Sequence, residues 1–185
     1  MEPPVITRHR RPFLAPLWGI LLAALAIGAV AFALYRSATT TLVFLVQPVE
    51  KDPGTIADAP VSPEGEERAQ RLAHMFGDSG GAGRVDAVYV SDDRRALQTG
   101  APLIERLHAA PVVFSAADAG AAAARAVREH RGGAVLMIVS GPVLVRVAQE
   151  LAAAQLPAAA RDDPDLICVV SIPTFGRAHL VRFRY

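Results

Sequence analysis

Thr41-Leu-Val-Phe-Leu-Val-Gln-Pro-Val-Glu-Lys51 is the stretch that best defines the fold of this chain. Its first part, Leu42 to Val46, is a short and continuously apolar run, which is typical of a strand buried on both faces of a sheet. A loop then begins at Gln47-Pro48. The stretch therefore predicts a central strand that delivers these two residues to the edge of the sheet.

Strands and helices alternate along the rest of the chain. Near-continuous apolar strands separated by helices indicate a mostly parallel sheet that is covered on both faces. A short turn, 173–177, separates the last two strands and predicts a closing hairpin. The sequence thus predicts an α/β three-layer sandwich with a mostly parallel central sheet and a C-terminal β-hairpin. The expected strands cover 42–46, 85–90, 112–114, 134–139, 166–172 and 179–185, and the expected helices cover 62–77, 91–107, 117–130 and 142–156.

The segment from Pro12 to Tyr35 contains no charged side chain. At 1.5 Å per residue, roughly 24 helical residues would cross a hydrocarbon core of about 30 Å. A cleaved signal peptide is the alternative, since Ala31-Phe-Ala33 resembles a small-x-small cleavage site. Secretory apolar regions, however, usually run for only about 7–15 residues. The segment therefore predicts one transmembrane helix over residues 13–35.

Charges on the two sides of this segment predict its orientation. Four basic residues, Arg8 to Arg11 with His9 among them, precede it, whereas only Arg36 follows it closely. Because positive residues stay on the cytoplasmic side, residues 1–12 are expected to form a cytoplasmic tail. We accordingly expect a single-pass inner-membrane protein with an extracytoplasmic, periplasmic domain over residues 36–185.

Composition excludes several classes of function. Cys168 is the only cysteine, so no intrachain disulfide and no cysteine metal cluster can form. We interpret this thiol as a small buried apolar residue of a strand. A formal net charge of +1, without a basic patch, gives no case for a nucleic-acid partner. We expect neither a metal nor another cofactor.

Five segments occur in an order that is shared with a known family. The chain resembles the histidine phosphatase (phosphoglycerate-mutase-like) superfamily, in particular its small bacterial branch, over nearly all of residues 41–185. The family's first strand carries a string close to L-V-R-H-A-E-K, its next helix starts L-(S/T)-x-x-G, and a later segment reads Y-S-S-x-x-x-R-A-x-Q-T. The matching segments here are 41–51, Ser62–Gly65 and Tyr89–Thr99, followed by Leu136–Gly141 for the strand that delivers a second histidine and Phe175–Tyr185 for the closing strand.

The resemblance implies that four positions would carry phosphate chemistry. In the family a first histidine attacks phosphorus, while two arginines and a second histidine bind the phosphoryl oxygens. The corresponding residues here are Gln47, Pro48, Arg95 and Ser140, and only Arg95 keeps the family's residue. Proline has its nitrogen locked in the backbone amide, so Pro48 cannot attack phosphorus. The degenerate positions Gln47, Pro48 and Ser140 therefore predict that the chain has no catalytic residue of the family's kind.

Two of these positions remain candidates for binding an anion. Arg95 can bind a phosphate or carboxylate with its planar guanidinium, or it can pair with a carboxylate inside the protein. Ser140 precedes Gly141-Pro142, which would open a helix whose N-terminal amides can hold an anion. As a nucleophile, Ser140 would need a base that the sequence does not place beside it. Its other interpretation is a helix cap.

Other polar residues have structural interpretations. Asp92, Asp93 and Arg94 are expected to be solvated residues of a helix's first turn, where acids suit the dipole. None of four histidines is expected at a strand end where it could replace the missing nucleophile. They are His74, His108, His130 and His179.

Three functional hypotheses follow. The first is a membrane-tethered, catalytically inactive domain, a pseudophosphatase that acts as a binding or regulatory module for a protein partner or an anionic ligand. The second is an accessory or assembly subunit of a membrane protein complex. The third is an active phosphatase that uses an unorthodox residue, Ser140 being the candidate.

Overall fold

The computed structural model describes residues 15–37, 39–49, 61–77, 84–152, 156, 163 and 165–184. The chain divides into two compact units, Met1–Ala38 and Thr39–Tyr185. The expected N-terminal tail, residues 1–12, lies outside the described residues.

The described part of the first unit is the helix α1 (Ala15–Ser37). Its described side chains run from Trp18 to Ala33 and all of them are exposed. Among the residues that the structure describes, no helix combines the length and the apolar character needed to cross a membrane. The predicted transmembrane helix over 13–35, and the single-pass inner-membrane location with a periplasmic domain that rested on it, are therefore wrong.

The second unit alternates strands and helices, as the pattern of apolar segments predicts. The strands are β1 (Thr40–Val46), β2 (Ala87–Ser91), β3 (Val112–Phe114), β4 (Ala134–Ile138), β5 (Leu166–Pro173) and β6 (His179–Arg184). The helices are α2 (Pro63–Gly77), α3 (Arg94–Leu107), α4 (Ala119–Glu129) and α5 (Gly141–Ala152), with a 3-10 turn over Ala116–Asp118 before α4.

The six strands form one mixed sheet in the order β3-β2-β4-β1-β5-β6. The pairs β2/β3, β2/β4 and β1/β4 are parallel, whereas β1/β5 and β5/β6 are antiparallel. The predicted α/β fold with a mostly parallel sheet and a closing hairpin is therefore confirmed.

Side chains that alternate along the central strands divide the core into two clusters. Val43 and Leu45 pack with buried residues of α4 and α5, whereas Phe44 and Val46 pack with those of α2 and α3. Because successive side chains of a strand point to opposite faces, the two helix pairs cover the two faces of the sheet. Cys168 is fully buried in β5, and burial raises the pKa of its thiol to about 11. It is the small apolar residue that the sequence predicts.

Candidate functional site

The carboxyl ends of three parallel strands meet at one edge of the sheet. Val46 of β1 is level with Ile138 of β4, and Ile138 is level with Val90 of β2. The backbone N–H of Val139 donates to the Val46 carbonyl at 3.0 Å, which continues the pairing to the end of both strands. Residues that follow these strands therefore emerge at the same edge, which is where open parallel sheets bind their ligands.

Gln47 and Pro48, the first two residues after β1, are both buried. The Gln47 side chain is 7% exposed, and its Nε2 donates a hydrogen bond of 3.1 Å to the backbone carbonyl of Asp163. The amide thus holds the residue that precedes Pro48 against the segment before β5. Pro48 lies where the resemblance puts a nucleophile, and its side chain has no nucleophilic group.

Asp163, which accepts the hydrogen bond from Gln47, belongs to a group of charged residues. Asp163 accepts hydrogen bonds from Nε and Nη2 of Arg184, at 3.0 and 2.7 Å. Two residues later, Asp165 forms an ion pair with Arg68 of α2, whose side chain is almost fully buried. Sequence reasoning missed this group, because the antiparallel pairing of β5 with β1 brings Asp163 beside Gln47. An arginine next to the core residue Ala69 is the one signal that could have indicated it.

Thr99 joins the end of β1 to the start of α3. Its hydroxyl accepts a hydrogen bond of 3.1 Å from the backbone N–H of Val49 and donates one of 2.7 Å to the Arg95 carbonyl. The residue is fully buried, so this hydroxyl is the partner that the buried Val49 N–H needs. The threonine at the end of the Tyr89–Thr99 motif therefore positions the loop that contains Gln47 and Pro48.

Asp93 caps α3. One of its carboxylate oxygens accepts a hydrogen bond of 2.9 Å from the backbone N–H of Ala96, and the other accepts from the hydroxyl of Ser91. The sequence-based interpretation of Asp93 as a solvated residue of the first turn is wrong. It satisfies an N–H group that has no partner inside the helix, which fixes where α3 begins.

Arg95 and Ser140 lie at the same edge and are both half-buried. Within the part of the chain that the structure describes, the Arg95 guanidinium forms no ion pair and no hydrogen bond. The Ser140 carbonyl accepts a hydrogen bond of 2.8 Å from the N–H of Leu144, so Ser140 stands at the entry to α5. No hydrogen bond joins the side chains of Arg95, Ser140 and Gln47 among the described residues. Their role in anion binding stays a prediction.

The histidines of the described residues lie on other elements. His74 is on α2, where its Nε2 is 3.3 Å from Nη2 of Arg106, and His108 follows the end of α3. His130 ends α4, and His179 begins β6. Among the described residues, no group of His, Cys, Asp and Glu could hold a metal ion.

Apart from Cys168 of β5, the described titratable groups with shifted pKa values form a separate cluster between β2 and α4. The Tyr89 hydroxyl donates to Oε2 of Glu129 at 3.3 Å, and burial, together with the Glu129 charge, raises the pKa of Tyr89. The hydrogen bond from Arg125 lowers the pKa of Glu129. Perturbed pKa values often mark catalytic groups, but this cluster does not include any of the four candidate positions.

Two cavities lie against α2 and α3, with volumes of about 380 and 240 Å³. Gln70 and Pro102 line both of them. None of Gln47, Pro48, Arg95 and Ser140 lines either cavity.

Comparisons with known proteins agree with this architecture. Residues 46–117 match the model of the "Histidine phosphatase superfamily (branch 1)", a range that includes Gln47, Pro48 and Arg95. A comparison with curated protein sequences finds no match.

Several solved structures have a similar fold. The protein histidine phosphatase SixA complexed with tungstate is 18% identical with a TM-score of 0.60, and the match covers 77% of this chain and 96% of SixA. A mycobacterial glucosyl-3-phosphoglycerate phosphatase is 15% identical with a TM-score of 0.62, covering 78% of this chain and 99% of that one. Phosphoglycerate mutase from Plasmodium falciparum is 18% identical with a TM-score of 0.57, covering 78% and 91%. The second unit of this chain therefore has the histidine phosphatase fold.

Proposed function

We propose that this chain is a catalytically inactive member of the histidine phosphatase superfamily, which acts as a binding or regulatory module. The observation that supports the proposal most strongly is the state of Pro48. It occupies the position of the nucleophilic histidine and is buried. An amide nitrogen inside a proline ring has no lone pair free to attack phosphorus, so no phosphorylated intermediate can form there.

The other substitutions act in the same direction. Gln47 lacks the positive charge of the family's arginine, and Ser140 lacks the imidazole of its second histidine. Removing one donor that stabilises developing charge costs about 3–4 kcal/mol, or a factor of roughly 10²–10³ in rate, where this has been done in enzymes. The combined losses leave no route to ordinary turnover by the family's mechanism.

Binding at this edge does not need these residues. Arg95 is half-buried and its guanidinium has no carboxylate partner among the described residues, which supports a role in binding an anion over a role in an internal ion pair. The proposed module therefore binds a protein partner or an anionic ligand without hydrolysing it.

The test is phosphate release by the purified full chain. We expect the chain to hydrolyse p-nitrophenyl phosphate and a phosphohistidine substrate no faster than its Arg95→Ala variant does. Arg128→Ala, which removes an exposed arginine on α4, is the matched control for contaminating activity. Turnover that survives in Arg128→Ala and disappears in Arg95→Ala would refute the proposal.

The same assay separates the alternative in which Ser140 is a nucleophile. Turnover that Ser140→Ala abolishes, while wild type and Arg128→Ala retain it, would identify an active phosphatase with an unorthodox residue. A covalent phosphoryl group on the serine, detected by mass spectrometry, would be its direct sign.

A further inference from the structure

The two edges of the sheet differ in length. β3 has three residues and follows Pro111, whereas β6 has six residues and, among the described strands, pairs only with β5. A short edge strand beside a proline is protected against pairing with another chain, because it offers few free backbone groups. β6 is long enough to serve as a template for an additional strand.

The side chains of β6 are unusually exposed for a strand with apolar residues. Val181 is 58% and Phe183 is 37% exposed. They are level with Val169 and Ile167 of β5, which belong to the core on the α2/α3 side, so both lie on that face of the sheet. The described helices leave this part of the face open.

Charge on the hairpin has one sign. From Pro173 to Arg184 there is no acidic residue, whereas Arg177, Arg182 and Arg184 are basic. Arg184 is bound to Asp163, but Arg177 and Arg182 form no ion pair with any described residue. The edge therefore combines an apolar face with cationic groups that can meet carboxylates.

We propose that β6 binds an extended acidic segment of a partner protein, which adds to the sheet as a further strand. Backbone hydrogen bonds to β6 would supply the pairing. Because side chains of an added strand alternate between faces, the segment that fits best alternates apolar and acidic residues. Its apolar side chains extend the face of Val181 and Phe183, and its carboxylates lie on the opposite face beside Arg182.

A second copy of this chain is a poorer occupant. Antiparallel pairing of β6 with itself would bring the arginines of both copies, Arg182 and Arg184, onto one face of the ribbon. Like charges close to each other across a strand pair are destabilising. An acidic segment would instead place carboxylates beside these arginines, and opposite charges across a strand pair are stabilising.

This inference rests on the proposed function, because it names the class of partner that the binding module takes. It also places the partner near the degenerate site. Asp163 accepts from Arg184 of β6 through its side chain and from Gln47 through its backbone carbonyl. One residue thus connects the proposed docking strand with the end of β1.

The test measures binding of labelled peptides to the full chain by fluorescence anisotropy. The acidic probe alternates Glu and Val over six central residues, the length of β6. A second probe has Lys in place of Glu, and a third is the acidic peptide with alternate backbone nitrogens methylated. We expect the acidic probe to bind at least about tenfold more tightly than the Lys probe, with an affinity that falls as salt is added. Methylation should remove binding, because it blocks the ladder of backbone hydrogen bonds.

Charge reversal on the strand provides the decisive comparison. The Arg182→Glu variant should no longer bind the acidic probe and should bind the Lys probe. Arg128→Glu, the same change at an exposed position of α4, should leave both affinities unchanged. Slow reaction of the buried Cys168 thiol with a thiol reagent checks that both variants are folded. Equal effects of the two variants, or full binding of the methylated peptide, would overturn the proposal.

Two further outcomes would identify a different occupant of β6 or a different function of the chain. A dimer in sedimentation velocity that Val181→Asp dissociates would assign β6 to a second copy and overturn the acidic partner. Peptide binding by a chain that also proves to hydrolyse phosphate would refute the inactive module and leave the docking strand standing.

Discussion

The ends of β1 and β2 lie at the same edge of one sheet, yet they resemble the motifs of the histidine phosphatase superfamily to different degrees. After β2, Ser91 to Thr99 keeps the motif, with a capping aspartate and a threonine hydroxyl that bonds to the neighbouring loop. After β1, Gln47 and Pro48 stand where the resemblance puts two reactive residues, and the strand is present as the motif predicts. Hydrogen bonds of Thr99, Asp93 and Gln47 hold the two strand ends in place. Substitutions that break these bonds one at a time, and one that breaks none of them, measure how much each strand end contributes to the stability of the fold.

Thr99→Val is expected to have the largest effect. The variant keeps the shape of the side chain but leaves the buried N–H of Val49 without a partner, which costs about 1–3 kcal/mol of the free energy of unfolding. Chemical denaturation measures this loss, and amide hydrogen exchange at Val49 should accelerate. Thr99→Ser retains the hydroxyl and should recover most of the stability. A Thr99→Val variant as stable as wild type, beside a destabilised Thr99→Ser, would show that the methyl group stabilises this position and the hydrogen bond does not.

Asp93→Ala is expected to cost about 1 kcal/mol, the usual contribution of an N-cap side chain. The change removes the acceptor of the Ala96 N–H and of the Ser91 hydroxyl, at the end of β2. Thermal unfolding of this variant and of Asp93→Asn, which can still accept a bond from Ala96, makes the comparison. If Asn is as destabilising as Ala, the cap does not stabilise α3.

Gln47→Leu, at the end of β1, is expected to cost about 0.5–1.5 kcal/mol of the free energy of unfolding. Leucine has nearly the volume of glutamine but cannot donate to the Asp163 carbonyl. Gln47→Glu, which places an acceptor against that carbonyl, should be less stable than Gln47→Leu at neutral pH. Chemical denaturation of wild type and both variants gives the order of their stabilities. A Leu variant as stable as wild type would show that the Gln47 hydrogen bond does not hold the loop in place.

Arg95→Ala is expected to change the free energy of unfolding by less than about 0.5 kcal/mol, as do most substitutions that break no internal bond. Its guanidinium has no partner among the described residues. Isothermal titration with inorganic phosphate then separates the two interpretations of this residue. Unchanged stability with lost phosphate binding supports an anion site, whereas a loss of about 1 kcal/mol or more would assign Arg95 to the frame.

The sequence was sufficient for the fold because the information lies in local patterns. Runs such as Leu42–Val46 are apolar without interruption, and such runs form strands only where both faces are covered. The motif Tyr89–Thr99 also predicted the turn from β2 into α3. The apolar stretch over 13–35 gave a helix but not the membrane span that we predicted from it.

The candidate site was less predictable, because its contacts join residues that are distant in sequence. Nothing near Gln47 indicates that its amide reaches Asp163, or that Thr99 would accept from Val49. Such pairs depend on the order of strands in the sheet and on which face each helix covers. The prediction for Asp93 was wrong because the N-cap and the first residue of a helix are adjacent positions. A shift of one residue in where the helix begins turns one into the other.

The class of fold and the chemical identity of the four positions, including a proline that cannot be a nucleophile, follow from the sequence alone, because both depend only on residue type and local order. The tertiary structure decided that Pro48 is buried, that Asp163 connects Gln47 with β6, and that β6 is an open edge with an apolar face. Burial and partners are properties of neighbours in space. In a sheet whose spatial order is β3-β2-β4-β1-β5-β6, those neighbours come from distant parts of the chain.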